Sequence, residues 1–223
     1  MSQSTVDSFA PSSNLSAMDT RTIQYYAQNA DDIVARYESI VNGMAAYFVR
    51  AFSPCNRIFD VGCGSGRDMA YLHRLGKSVY GIDATAELVE RAQILHPELR
   101  GRILCHAVPN DSIPFGGGFD GILCSAVLMH IHPEHHPDVA SFIKKCLNPG
   151  GRLFYSVPSK RSDVSCDLQR DPAGRLFITD SHRQLQRLFE KNGFALLEQW
   201  KNTDALGRDG VEWVSFLMQR SAA

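Results

Sequence analysis

The segment FDVGCGSGRD, residues 59–68, constrains this chain more than any other stretch. An apolar, strand-like run, Ile58–Val61, leads into it, and an amphipathic stretch over about 67–75 follows. The glycines therefore sit at a strand-to-helix turn. Gly62, Gly64 and Gly66 have the spacing G-x-G-x-G, which lets the backbone turn tightly and approach a ligand with no Cβ in the way. A dinucleotide fingerprint needs G-x-G-x-x-G, but its last position falls on Arg67 counted from Gly62 and on Met69 counted from Gly64. The G-x-x-x-x-G-K-[ST] phosphate loop is also missing. Asp60, just before the turn, would repel a pyrophosphate and suits a cationic group. A second strand, Ser78–Ile82, runs into Asp83, seventeen residues after Gly66. In doubly wound sheets an acid at this strand end accepts hydrogen bonds from ribose hydroxyls. The implied ligand has a ribose, a positive charge and no phosphate.

The rest of the chain keeps a strand-helix rhythm. A helix over about 86–95, a third strand at Arg102–His106 and a fourth at Phe119–Ser125 follow the second strand. Then come a helix near 136–147, a break at Pro149-Gly150-Gly151 and a fifth strand at Arg152–Val157. This order predicts an α/β fold: a Rossmann-like doubly wound sheet, mostly parallel. The last third departs from it. A helix near 181–192 ends at Asn192-Gly193, and two β-rich runs, Phe194–Trp200 and Val211–Met218, predict an antiparallel C-terminal edge strand. Ahead of the first strand, Ile33, Tyr37, Ile40, Val41, Met44 and Tyr47–Phe48 predict helix over 22–52. Residues 158–176 form the longest irregular stretch, of a length typical of binding or lid loops.

Composition narrows the classes of partner. Twenty-three basic and 24 acidic residues nearly cancel, so no global attraction to nucleic acid or to an anionic membrane is expected. No apolar run approaches the ~18 residues of a membrane span. Residues 1–21, rich in Ser and without a basic start or apolar stretch, read as a disordered tail and not as an export signal. Six scattered cysteines with no C-x-x-C pair suit a reducing compartment, so a cytoplasmic location without disulfides is expected.

With these residues in place, the chain resembles the class I S-adenosylmethionine-dependent methyltransferases, especially small-molecule members, over about residues 25 to 220. FDVGCGSGRD resembles their first motif and VYGIDAT their second. SIPFGGGFDGILCSAVLMHI (112–131) resembles the run through the fourth strand, LNPGGRLFYSVP (147–158) the fifth-strand motif, and YYAQNADDIVARY (25–37) the helix that lids the cofactor. The resemblance implies one methyltransferase domain over 22–223 and S-adenosyl-L-methionine as cofactor. Gly62, Cys63, Gly64 and Gly66 would wrap its methionine part, with Asp60 near the ammonium. Asp83 and Ala84 would serve the ribose. Pro109 and Asn110 stand where the family has an Asp-Ala pair beside the adenine, so the usual acid is absent. Ser125 and Ala126 would line the sulfonium side, and Tyr26 or its neighbour Tyr25 would close over it.

The implied acceptor is a small molecule, with no membrane partner and a monomer or homodimer as the working unit. His130, in CSAVLMHI at the end of the fourth strand, is the candidate catalytic base, since an ordinary pKa near ~6.5 suits proton removal at neutral pH. The competing role is shaping the pocket. HIHPEHH (130–136) places His132 and His136 four apart, but Pro133 and Pro137 interrupt them and no carboxylate or Cys set completes a site, so no metal is expected. The absence of [ND]-P-P-[YF] after the fourth strand disfavours exocyclic amines of DNA and amide nitrogens. Trp200, Arg208 and Trp213 are candidates for an acceptor wall or for packing on the sheet. Two alternatives stand beside this: an RNA (tRNA wobble-base) methyltransferase, drawing on Lys144–Lys145, Lys160–Arg161 and Arg183–Arg187, and a non-catalytic cofactor-binding regulatory subunit. A nicotinamide reductase fails on its glycine pattern.

Overall fold

The computed structural model describes residues 18–40 and 43–222. The expected tail therefore lies outside the described residues up to position 17, as does Val41. Seven strands form one sheet in the order β3-β2-β1-β4-β5-β7-β6. β1 (Arg57–Val61), β2 (Ser78–Asp83), β3 (Ile103–Cys105), β4 (Phe119–Ser125) and β5 (Leu147–Arg161) run parallel. β6 (Phe194–Thr203) and β7 (Val211–Arg220) are antiparallel, with β7 pairing β5 on one side and β6 on the other. The doubly wound, mostly parallel sheet with an antiparallel C-terminal edge is thus present. Three helices follow their strands where the periodicity predicts: α4 (Arg67–Arg74), α5 (Ala86–Leu95) and α6 (His136–Cys146). α7 (His182–Lys191) precedes the antiparallel pair.

Both faces of the sheet are dry, as parallel strands with continuous apolar runs require. On one face Phe59, Phe119 and Tyr155 pack under Phe142 and Ile143 of α6 and under Leu185 and Phe189 of α7. On the other, Ile58, Leu123 and Phe154 pack under Phe48 and Phe52, Met69 and Leu72 of α4, and Val89 of α5. Each such side chain, fully buried, contributes about 1.5–3 kcal/mol.

Three expectations need correction. The helix over 22–52 is three helices: α1 (Thr20–Gln28), α2 (Ala30–Ser39) and α3 (Ala45–Phe52). Asn29 ends α1 by spending its own Nδ2 on the Tyr25 carbonyl at 2.8 Å, and α2 restarts with Asp31 and Asp32 in its first turn, where carboxylates meet free N–H groups. α1 also starts inside the stretch expected to be tail. Asp19 caps it, accepting from the Thr22 N–H and hydroxyl at 2.8 Å each. Third, β5 does not begin at Arg152 or end at Val157. It passes through the Pro-Gly-Gly break and continues to Arg161, so residues 158–161 are strand, and the irregular segment runs from there to α7.

Candidate active site

A cavity of about 290 Å³ opens over the carboxyl ends of β1, β2, β4 and β5, beside the β1/β4 point where the strand order reverses. Its first half is built by the glycine-rich turn. Gly62, Gly64 and Gly66 all have positive φ (76°, 53° and 80°), a conformation that L side chains rarely adopt. The N–H groups of Gly62 and Cys63 both donate to the Ile82 carbonyl, at 2.8 and 3.0 Å, which ties the turn to β2. A Cβ on Gly62 would collide with Val127, whereas one on Gly64 would meet nothing within 4 Å. Gly64 thus borders open space.

Asp83 closes this half. Its two oxygens accept the Gly64 and Thr85 N–H groups, each at 2.9 Å, leaving further lone pairs on both. Burial raises its pKa against the pull of those two N–H groups. Asp60 is 3% exposed, and burial, with the neighbouring Asp68 and Asp83, raises its pKa well above the usual carboxylate range while Arg67 opposes. A cation arriving beside it would restore the charged form. Arg67 is itself paired with Asp68 at 3.0 Å and donates to the Tyr37 carbonyl at 2.9 Å, which holds α2 over the turn.

Of the residues singled out from sequence, Asp60, Gly62, Cys63 and Gly64 line the cavity, as do Asp83 and Ala84. Ser125, Ala126, Tyr26 and His130 line it too. Three do not. Gly66 backs onto α5, where a Cβ would press on His96, Ala92 and Leu99. Pro109 and Asn110 are off the lining, and His106 and Val108 stand there in their place. Ala126 takes a left-handed backbone (φ 58°), fixed by its N–H bonds to the Ser156 carbonyl at 3.0 Å and hydroxyl at 3.1 Å.

The second half is walled by α1, the segment between β5 and α7, and the β6–β7 end. His130 is 5% exposed. Its Nδ1 donates to the Leu176 carbonyl at 2.6 Å, so in the neutral ring Nε2 accepts from the Tyr26 hydroxyl at 3.3 Å. Burial lowers its pKa to about 4; the Leu176 bond opposes this and the Arg175 charge adds to it. The ring is therefore neutral at physiological pH, and the ordinary titration expected near neutrality is displaced. His136 is spent elsewhere, with Nε2 donating to the Leu128 and Ile131 carbonyls at 3.1 Å each. Among the described residues no cluster of three or more His, Cys, Asp or Glu is placed to hold a metal.

α1 is latched to the segment across from it. Arg170 makes two bonds to Asp19, at 2.6 and 2.9 Å, and the Leu176 N–H donates to Thr22 Oγ1 at 2.8 Å. Burial would raise the Asp19 pKa, but Arg170 and Thr22 outweigh it and hold it at about 2. Arg175 donates to the Tyr26 hydroxyl at 3.3 Å, its other edge held by Asp171 at 2.6 and 2.9 Å. Arg161 is clamped by Asp163 at 2.6 and 2.7 Å and stacks over Phe177 at 3.9 Å. Arg208 is clamped by Asp204 at 2.7 and 2.9 Å, and Asp204 also takes the Trp213 N–H at 3.0 Å. Arg208 and Trp213 do line the cavity, whereas Trp200 packs against Tyr47 and Phe154, as the packing alternative had it. Sequence reasoning missed Arg175, Phe177, Ser156 and Asp204, and placed Arg161 only in a basic cluster. A signal was present: Asp171–Arg175 and Asp204–Arg208 share one acid-to-arginine spacing of four inside loops.

A family model described as a methyltransferase domain matches residues 23–199. The chain belongs to the methyltransferase-domain family. A ubiquinone biosynthesis O-methyltransferase of Xanthomonas axonopodis pv. citri (strain 306) is 31% identical over 140 residues, 60% of this chain and 52% of that protein. The chain spans about half the length of the curated relatives it matches. Among solved structures, the Burkholderia thailandensis 1,6-didemethyltoxoflavin-N1-methyltransferase, with bound 1,6-didemethyltoxoflavin and S-adenosylhomocysteine, has a TM-score of 0.71 at 19% identity. That match covers 90% of this chain and 88% of the other. The N-methyltransferase NodS of Bradyrhizobium japonicum WM9, in complex with S-adenosylhomocysteine, has a TM-score of 0.68 at 15% identity, covering 91% and 99%. At such identities the likeness is one of fold.

Proposed function

We propose that the chain transfers the methyl group of S-adenosylmethionine to an oxygen, nitrogen or sulfur nucleophile of a small-molecule acceptor. The observation that carries this is the pairing of an open glycine turn with two carboxylates, Asp60 and Asp83, on one cavity wall. That donor set suits a ligand with ribose hydroxyls and positive charge and opposes one with phosphates. The bound cofactor supplies an electrophilic methyl group on a sulfonium. Gly64 would leave room for it, Asp83 would accept from the ribose hydroxyls, Asp60 would meet the ammonium, and Tyr26 would cover it. Alignment in the cavity provides much of the rate. His130, whose Nε2 is taken by the Tyr26 hydroxyl, orients that tyrosine over the acceptor; with its pKa at about 4, it is a weak proton store at neutral pH.

Burial of Arg161 takes the arginine out of one of the three basic clusters an RNA substrate would use and leaves Lys160 alone there, which favours the small acceptor. No helix among the described residues is long and apolar enough to cross a membrane. Free thiols at all six cysteines support a place in the cytoplasm, as a monomer or homodimer. Calorimetric titration tests the cofactor: S-adenosylhomocysteine should bind with a micromolar or lower constant and NADH should not. Binding of NADH alone would overturn the proposal.

A further inference from the structure

Resting on the methyltransferase reading, we infer that the acceptor is an organic acid, whose carboxylate or phosphate docks against Arg161, Arg175 and Arg208. The three guanidiniums line the second half of the cavity, yet of the acids that hold them only Asp204 lines it as well. Asp163 and Asp171 stand off the lining, behind the arginines they clamp. In each arginine the Nε–Nη2 edge is fixed by an acid, which leaves the Nη1 corner to face elsewhere. Arg175 spends that corner on Tyr26.

Arg161 spends it on nothing. Its side chain is 1% exposed, and Nη1 is buried with no hydrogen-bond partner. Leaving a charged donor buried and unmatched is costly, and an oxyanion is the partner that forks with a guanidinium. Two further residues of the same half, Ser215 and Asn202, each hold a buried polar atom without a partner, Oγ and Oδ1. The hydroxyl can donate to an oxyanion, and the amide oxygen can accept from a hydroxyl on the same molecule. Between these groups Met129, Phe177, Trp213 and Leu206 supply apolar walls. The half therefore fits a compact apolar body bearing one oxyanion.

The test uses the protein saturated with S-adenosylhomocysteine and three matched probes: benzoate, phenyl phosphate and neutral benzamide. Benzoate or phenyl phosphate should bind at least about ten-fold tighter than benzamide, and whichever is tighter identifies the oxyanion. Arg161→Met should erase that preference, and Arg161→Lys, which keeps charge without the fork, should restore only part of it. Intact S-adenosylhomocysteine binding in each variant shows that it has folded and keeps this test separate from that of the cofactor. Should Arg161→Met fail to fold, Arg208→Gln serves as the second variant, with a smaller loss of benzoate affinity expected. Benzamide binding as tightly as both anions, or an anion preference surviving in the folded variant, would overturn the inference.

Discussion

Around the glycine-rich turn the cavity lining presents Asp60, Asp68 and Asp83 against Arg36 and Arg67, whereas across from it the lining presents Arg161, Arg175 and Arg208 against Asp204. The first half is electronegative and suits a cationic cofactor; the second is electropositive. The halves also differ in how they are made. The Gly64–Asp83 bond spans 19 residues of chain, and the turn, its strand and its acid form one local unit. The second half is closed by bonds that span 104 residues (Tyr26–His130), 149 (Tyr26–Arg175) and 154 (Thr22–Leu176). Such contacts cost more loop entropy and form only once the sheet has brought its ends together. A cradle of local contacts thus faces a wall of distant ones.

Substitution can separate the two. The largest effect belongs to the first half: Gly64→Val should lower S-adenosylhomocysteine affinity by more than about 100-fold by calorimetry. A side chain at φ 53° costs about 1–2 kcal/mol in the backbone alone, and its bulk would fill the open space beside the turn. Normal titration would make the turn purely structural.

A stability effect of roughly 3 kcal/mol belongs to His130 in the second half. Its folded pKa of about 4 lies below the usual 6.5, so between those values the unfolded chain binds more protons. The contribution is complete above pH 6.5 and is lost as pH falls towards 4. Thermal melts of His130→Asn should lose this acid-limb slope relative to wild type, and turnover from pH 6 to 8 should show no histidine inflection in either protein. A wild-type inflection near 6.5 that vanishes in the variant would restore the titrating base. The smallest effect is Asp83→Ala, which should weaken S-adenosylhomocysteine by about 2 kcal/mol, roughly 30-fold, through lost charge-assisted bonds. Unchanged affinity would remove the ribose assignment and with it the contrast between the halves.

The same difference explains what the sequence disclosed. G-x-G-x-G, Asp60 and Asp83 are legible because one strand-turn-helix unit carries them, and the β1–β5 rhythm was legible from apolar runs buried on both faces. The break at Asn29 was hidden, because Ile33, Tyr37 and Ile40 keep helical spacing while the Asn29 side chain, bonded to the Tyr25 carbonyl, ends α1; the second break, ahead of α3, has no side-chain cap to mark it. The Asp171–Arg175 spacing marks a clamped arginine but not its role, because its meeting with Tyr26 depends on where β5 and α1 end in space. The depressed His130 pKa likewise comes from enclosure by Tyr26, Leu176 and Phe177, two of them in a loop that shows no periodicity.

The latch between α1 and residues 170–176 also has a mechanical consequence. Asp19, Thr22 and Tyr26 lie on or beside a single nine-residue helix, so their three attachments move together and share any load. Tension applied to the backbone just ahead of Met18 meets the Met18–Ile131 bridge and the Asp19–Arg170 pair, then passes through Thr22 to Leu176, whose carbonyl accepts the His130 Nδ1–H. A tag, a fusion partner or a surface tether joined at that end would therefore pull on the acceptor wall while the glycine cradle, anchored in the sheet, stayed unstressed.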